Sequence, residues 1–86
     1  MSYLNAIEKV RREILMDNER PMDVLIRVSL RNAVLQEVKQ MMAYRSEQEY
    51  EYLMGMKIEW TKPKPLTHPQ ISIRTDKGDL RIVNCL

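Results

Sequence analysis

Tyr3, Ile7, Val10 and Ile14 recur at the spacing of one helical face, with Leu4 and Leu15 beside them and Glu8, Lys9, Arg12 and Glu13 on the other side. Ser2 stands where an N-cap belongs. The pattern fades at Asp17-Asn18-Glu19-Arg20, and Pro21 disfavours helical backbone at the residue before it. The spacing predicts a helix over about residues 3–17.

Residues 22–30 carry two patterns at once. Ile26-Arg27-Val28-Ser29-Leu30-Arg31 alternates apolar and polar, and Val24, Ile26 and Val28 are β-branched, which favours a strand. Met22, Leu25, Ile26, Ser29 and Leu30 also share a helical face behind Pro21. The strand is the preferred reading, with Ser29 ending it and capping the next helix. There Val34, Leu35, Val38, Met41 and Met42 form an apolar stripe, while Gln36, Glu37, Lys39 and Gln40 lie outside it. This predicts a helix over about residues 30–45, with room to continue to 53.

Gly55 marks a break, after which Met56, Ile58 and Trp60 alternate with Lys57 and Glu59 as in a half-buried strand. Pro63, Pro65 and Pro69 exclude regular helix or central strand from the loop that follows. Ile71–Thr75 and Leu80–Asn84 then flank Asp76-Lys77-Gly78-Asp79, a hairpin signal. A two-residue turn at Lys77-Gly78 puts Ile73 opposite Ile82 and Arg74 opposite Arg81. A three-residue turn with a bulge at Gly78 puts Ile73 opposite Arg81 instead. The first is preferred because it keeps apolar side chains on one face. The predicted architecture is a single α+β domain over residues 1–86, in α-β-α-β-β-β order, with a mostly antiparallel sheet and helices on one face. The helix over 3–17 precedes an α+β core at about 22–86.

The strand Val24–Leu30, the helix behind Ser29 and the run Leu53-Met54-Gly55-Met56-Lys57-Ile58-Glu59-Trp60 together resemble small α+β proteins of phages and prophages. The resemblance covers about residues 22–83. It departs from that pattern at Leu30, where a proline would follow the capping serine. It implies a viral or mobile-element source and carries over no catalytic residue.

Composition narrows the function. A chain of 86 residues buries little more than about 60% of the surface its unfolded form exposes. With 44% hydrophobic and 30% charged residues it is neither disordered by composition nor membrane-embedded, and no run approaches the roughly 20 apolar residues of a bilayer span. The N-terminus lacks the apolar run of a signal peptide, so a cytoplasmic location is expected. One cysteine makes no intrachain disulfide, and one histidine with one cysteine leaves too few ligands for structural zinc. No metal or other cofactor is expected. His68 lies in the proline loop with no partner evident for general-base work, and nothing near Cys85 marks a thiolate site. Paired-carboxylate, phosphate-loop and metal-ligand spacings do not occur, and Asp76 and Asp79 belong to a turn. An enzyme is not expected.

The net charge of +2 hides an uneven distribution: residues 55–86 carry six basic and three acidic groups, and no acidic residue lies between Glu59 and Asp76. In the preferred register Arg74 faces Arg81 across the hairpin, and Lys57 adds to the pair from the neighbouring strand. With Trp60, Lys62 and Lys64 they form a cationic and aromatic set suited to single-stranded nucleic acid. The plainer reading is that Glu59 neutralises the arginines, the lysines keep an edge soluble and Trp60 joins the core. Upstream, Tyr44, Tyr50 and Tyr52 interleave with Glu47, Glu49 and Glu51, a composition that suits protein contact. A partly buried helix end with a solvated acidic side explains it as well. Seven methionines and no phenylalanine make Met41, Met42, Met54 and Met56 either an adaptable contact surface or irregular core filler. The apolar stripe of the first helix must be buried on its own sheet or on a second copy, and a homodimer is the expectation in so small a chain. The sequence is therefore read as a non-enzymatic interaction protein, a phage or prophage accessory or host-interaction factor. Its contact residues are Tyr44, Glu49, Tyr50, Glu51, Tyr52 and Met54. The alternative is a nucleic-acid module using Lys57, Trp60, Lys62, Lys64, Arg74 and Arg81.

Overall fold

The fold was read from a computed structural model, which describes residues 2–41, 51–62 and 70–84, with Met41 by its backbone alone. Helix α1 covers Tyr3–Met16 and strand β1 covers Pro21–Arg27. A 3-10 turn at Val28–Leu30 leads into helix α2 at Arg31–Met41. Strands β2 (Tyr52–Leu53), β3 (Met56–Thr61), β4 (Ile71–Thr75) and β5 (Leu80–Val83) follow. The five strands form one sheet in the order β2-β3-β1-β4-β5. β1 and β3 are parallel, and the other three pairings are antiparallel. The molecule is a small α+β domain with a mostly antiparallel sheet.

One face of the sheet supplies the core. Val24 and Ile26 of β1, Met56 of β3, Ile71 and Ile73 of β4 and Val83 of β5 are buried there with Leu4, Ile7 and Ile14 of α1 and Val34 and Val38 of α2. Burying each such aliphatic side chain contributes about 1.5–3 kcal/mol. The stripe of α1 is thus satisfied within its own chain, which removes the first ground for expecting a homodimer. Among the described residues, no helix is long and apolar enough to cross a membrane.

Ser2 caps α1 as expected, its hydroxyl accepting from the Asn5 amide at 3.3 Å. Leu15, by contrast, is exposed rather than packed beside the stripe. β1 is extended, not helical, but it ends at Arg27, and Ser29 lies exposed within the 3-10 turn, neither ending the strand nor preceding α2 as its cap. The strand stops where its partners stop: Ile26 is the last residue paired with β4, and the Arg27 amide donates to the Gln70 carbonyl beyond it. The helix does not continue to 53, because Tyr52–Leu53 pairs with β3 as a short strand absent from the predicted order. Residues 42–45 of that prediction lie outside the described residues.

The hairpin register also differs. Ile73 pairs with Arg81, Ser72 with Ile82 and Arg74 with Leu80, the register of the three-residue turn. Gly78 takes φ +86°, and its amide donates to the Thr75 carbonyl at 3.0 Å. The Thr75 hydroxyl accepts from the Lys77 and Asp79 amides at 3.3 Å each. A left-handed glycine and a hydroxyl that closes the loop outweigh facial matching of the strand residues. Arg74 and Arg81 therefore lie on opposite faces of the sheet, and the expected cationic pair does not exist. Nor is β3 the neighbour of β4, since β1 runs between them.

Candidate interaction surface

Alternation along each strand sends a second set of side chains to the face away from both helices. Across that outer face Tyr52, Lys57, Asp23, Arg74 and Leu80 form one row in strand order. Glu59, Leu25, Ser72 and Ile82 form the next. Asp23 thus stands between Lys57 and Arg74. The Arg74 guanidinium bonds Asp23 at 3.3 Å and approaches Glu59 at 3.5 Å. Ser72, a short side chain between Leu25 and Ile82, is buried in the middle of the second row. Tyr52, Leu80 and Ile82, at the two margins, are each more than half exposed.

Arg81 is held on the helix-bearing face. It donates to Glu19 at 2.7 Å and to Asp17 at 2.9 Å, acids that follow directly on α1. The hydrogen bond from Arg81 outweighs the cost of burial and holds the Glu19 carboxyl below its ordinary range, while Glu19 and Asp17 push the guanidinium up. Oε1 of Glu19 is buried and has no hydrogen-bond partner among the described residues. This cluster anchors the end of α1 to β5 and leaves Arg81 committed to intramolecular partners.

The remaining expected residues are dispersed. Trp60 is half-buried against the core on the helix side, with the Arg31 guanidinium 5.8 Å from its ring centre. Lys57 and Lys62 are exposed, and Lys64 lies outside the described residues. The nucleic-acid set is therefore divided between two faces, with both arginines ion-paired. Of the contact set, Tyr44, Glu49 and Tyr50 also lie outside the described residues. Glu51 and Tyr52 are exposed at the β2 edge. Met54 packs partly on the core, at φ +52° in the β2–β3 turn, and its carbonyl accepts from Arg11 Nε at 3.2 Å. Met56 is fully buried and belongs to no contact surface, while Met42 and the Met41 side chain are not described. His68 and Cys85 lie outside the described residues.

Sequence reasoning missed three participants. Asp23 and Leu25 carry no assigned role until the alternation of β1 puts them on the outer face, and Ile82, expected opposite Ile73 on the apolar face, is turned outward by the hairpin register. Glu37, assigned to the solvated side of α2, reaches the start of α1 instead. Among the described residues there is no cluster of His, Cys, Asp or Glu placed to hold a metal. A shallow groove lined by Asn5, Glu8, Lys9, Arg12 and Glu13 runs along the solvent side of α1 alone, with Glu8 bonded to Arg12 at 2.9 Å. Compared with models of protein families, with curated proteins and with solved structures, the chain matches none.

Proposed function

We propose that this chain is a non-enzymatic interaction protein of the cytoplasm that engages a protein partner with the outer face of its sheet. If the resemblance over residues 22–83 reflects a phage or prophage origin, the role is that of an accessory or host-interaction factor. One observation carries the reading. Arg74 is neutralised by Asp23 and Glu59, so the face presents alternating charge with Tyr52, Leu80 and Ile82 exposed at its margins. Mixed charge with aromatic and aliphatic side chains suits a protein partner, whereas nucleic acid calls for a field of one sign. Placing a photo-reactive phenylalanine analogue in cells at Tyr52 or Leu80, and at Lys9 on the outward side of α1 as control, tests this. Polypeptide adducts from the two sheet positions and none from Lys9 are expected. Nucleic-acid adducts, or no adduct from the sheet, refute the reading.

A further inference from the structure

We infer that the outward backbone groups of Leu80 and Ile82 on β5, the last strand of the sheet among the described residues, pair antiparallel with β5 of a second copy, about a two-fold axis at Ile82. The inference names the partner at one margin of the surface proposed above and rests on that reading there. The Thr75 amide donates to the Asp79 carbonyl at 2.9 Å, and antiparallel ladders alternate. Arg81 and Val83 therefore turn their backbone groups toward β4, and Leu80 and Ile82 turn theirs outward. An edge of this kind is a template for another strand unless something blocks it. β5 has no proline, lysine or bulge between Leu80 and Val83. Its one inward charge, Arg81, is occupied by Asp17 and Glu19.

Side chains on both sides of this edge lack cover. Leu80 and Ile82 are 56% and 59% exposed on the outer face. Leu15 and Met16, 46% and 82% exposed, immediately precede the Asp17 that Arg81 holds. The register follows from charge. Residues with outward backbone groups must face one another, and of the registers that do this only those with the axis at Arg81 or at Ile82 keep three residues of β5 paired. The first places Arg81 against Arg81 of the second copy, a destabilising like-charge pair. The second places Arg81 against Val83 and Ile82 against Ile82. Pairing through β5 alone closes as a dimer. The outer faces of the two copies then join into one surface.

Sedimentation equilibrium over a concentration series is expected to show twice the mass of one chain. Ile82→Pro removes an amide that points away from β4, so it should sediment as a single chain while retaining its circular dichroism spectrum. Should Ile82→Pro fail to fold, Ile82→Lys carries the same expectation through the side chain. A single-chain mass for the unaltered protein up to its solubility limit overturns the inference, as does a folded variant that stays dimeric. The photo-adduct at Leu80 separates the two proposals. An adduct with this chain supports the dimer, and one with a foreign polypeptide alone overturns the dimer but leaves the interaction reading standing.

Discussion

Glu37, thirty-five positions from Ser2 along the chain, does for α1 what a local capping residue does elsewhere. Its carboxylate accepts from the Ser2 hydroxyl and from the Tyr3 and Leu4 amides, the latter two at 2.9 and 3.1 Å. Those amides have no intrahelical acceptor, and a carboxylate is favoured at the positive end of the helix. Burial pushes the Glu37 carboxyl up, but these hydrogen bonds outweigh it and hold the group below its ordinary 4.5. Replacing Glu37 with alanine should cost about 1–2 kcal/mol. For a chain of this size that is a fall of roughly 5–10 °C in melting temperature. Because the folded-state value is depressed, the contribution is complete above the ordinary value of 4.5 and is lost as pH falls through the folded value. Urea unfolding as a function of pH should show stability declining below that range. The decline should be shallower in Glu37→Ala but not abolished, since Glu19 is depressed in the same direction.

Secondary structure was legible where it depends on neighbours in sequence. The helix at Tyr3–Met16, the strand at Met56–Thr61 and the two arms of the hairpin follow from periodicity and flanking Gly, Pro and Asp. Register was not legible in the same way, because the facial pattern of Ile71–Thr75 against Leu80–Val83 competes with turn chemistry at Thr75 and Gly78. Apart from its two chain neighbours, no described residue lies within 4 Å of the place a Gly78 side chain would occupy, so Gly78→Ala meets no clash and costs only the left-handed backbone. That cost is about 1–2 kcal/mol, with asparagine less costly. Chemical denaturation of the two variants checks it, and equal losses from alanine and asparagine would contradict the backbone explanation.

At the scale of the whole molecule, charge that reads as segregated along the chain is mixed in space. The basic C-terminal third meets acids from the N-terminal third: Arg74 meets Asp23, and Arg81 meets Asp17 and Glu19. The insertion of β1 between β3 and β4 sets Asp23 between two cations, and the hairpin register turns Arg81 to the face where Asp17 and Glu19 follow α1. The expected consequence is weak affinity for polyanions. Fluorescence anisotropy with labelled single-stranded DNA at low salt should stay flat to tens of micromolar protein. Binding that weakens steeply with salt, and is lost in Arg74→Ala or Arg81→Ala, would contradict this account.

The sequence by itself determined the α+β class, the capped first helix and the half-buried strand after Gly55. Each of these depends on periods of two or 3.6 residues and on local turn and cap chemistry, which act over a few positions. Only the tertiary structure decided which strand lies beside which, which face receives Arg81, and that Glu37 caps α1. The place of β1 between β3 and β4 and the cap from Glu37 depend on pairings between residues 33 to 54 positions apart, where many partners are compatible with the same local pattern and the packing of the whole sheet selects one, while the face of Arg81 follows from turn chemistry that competes with the facial pattern of the hairpin.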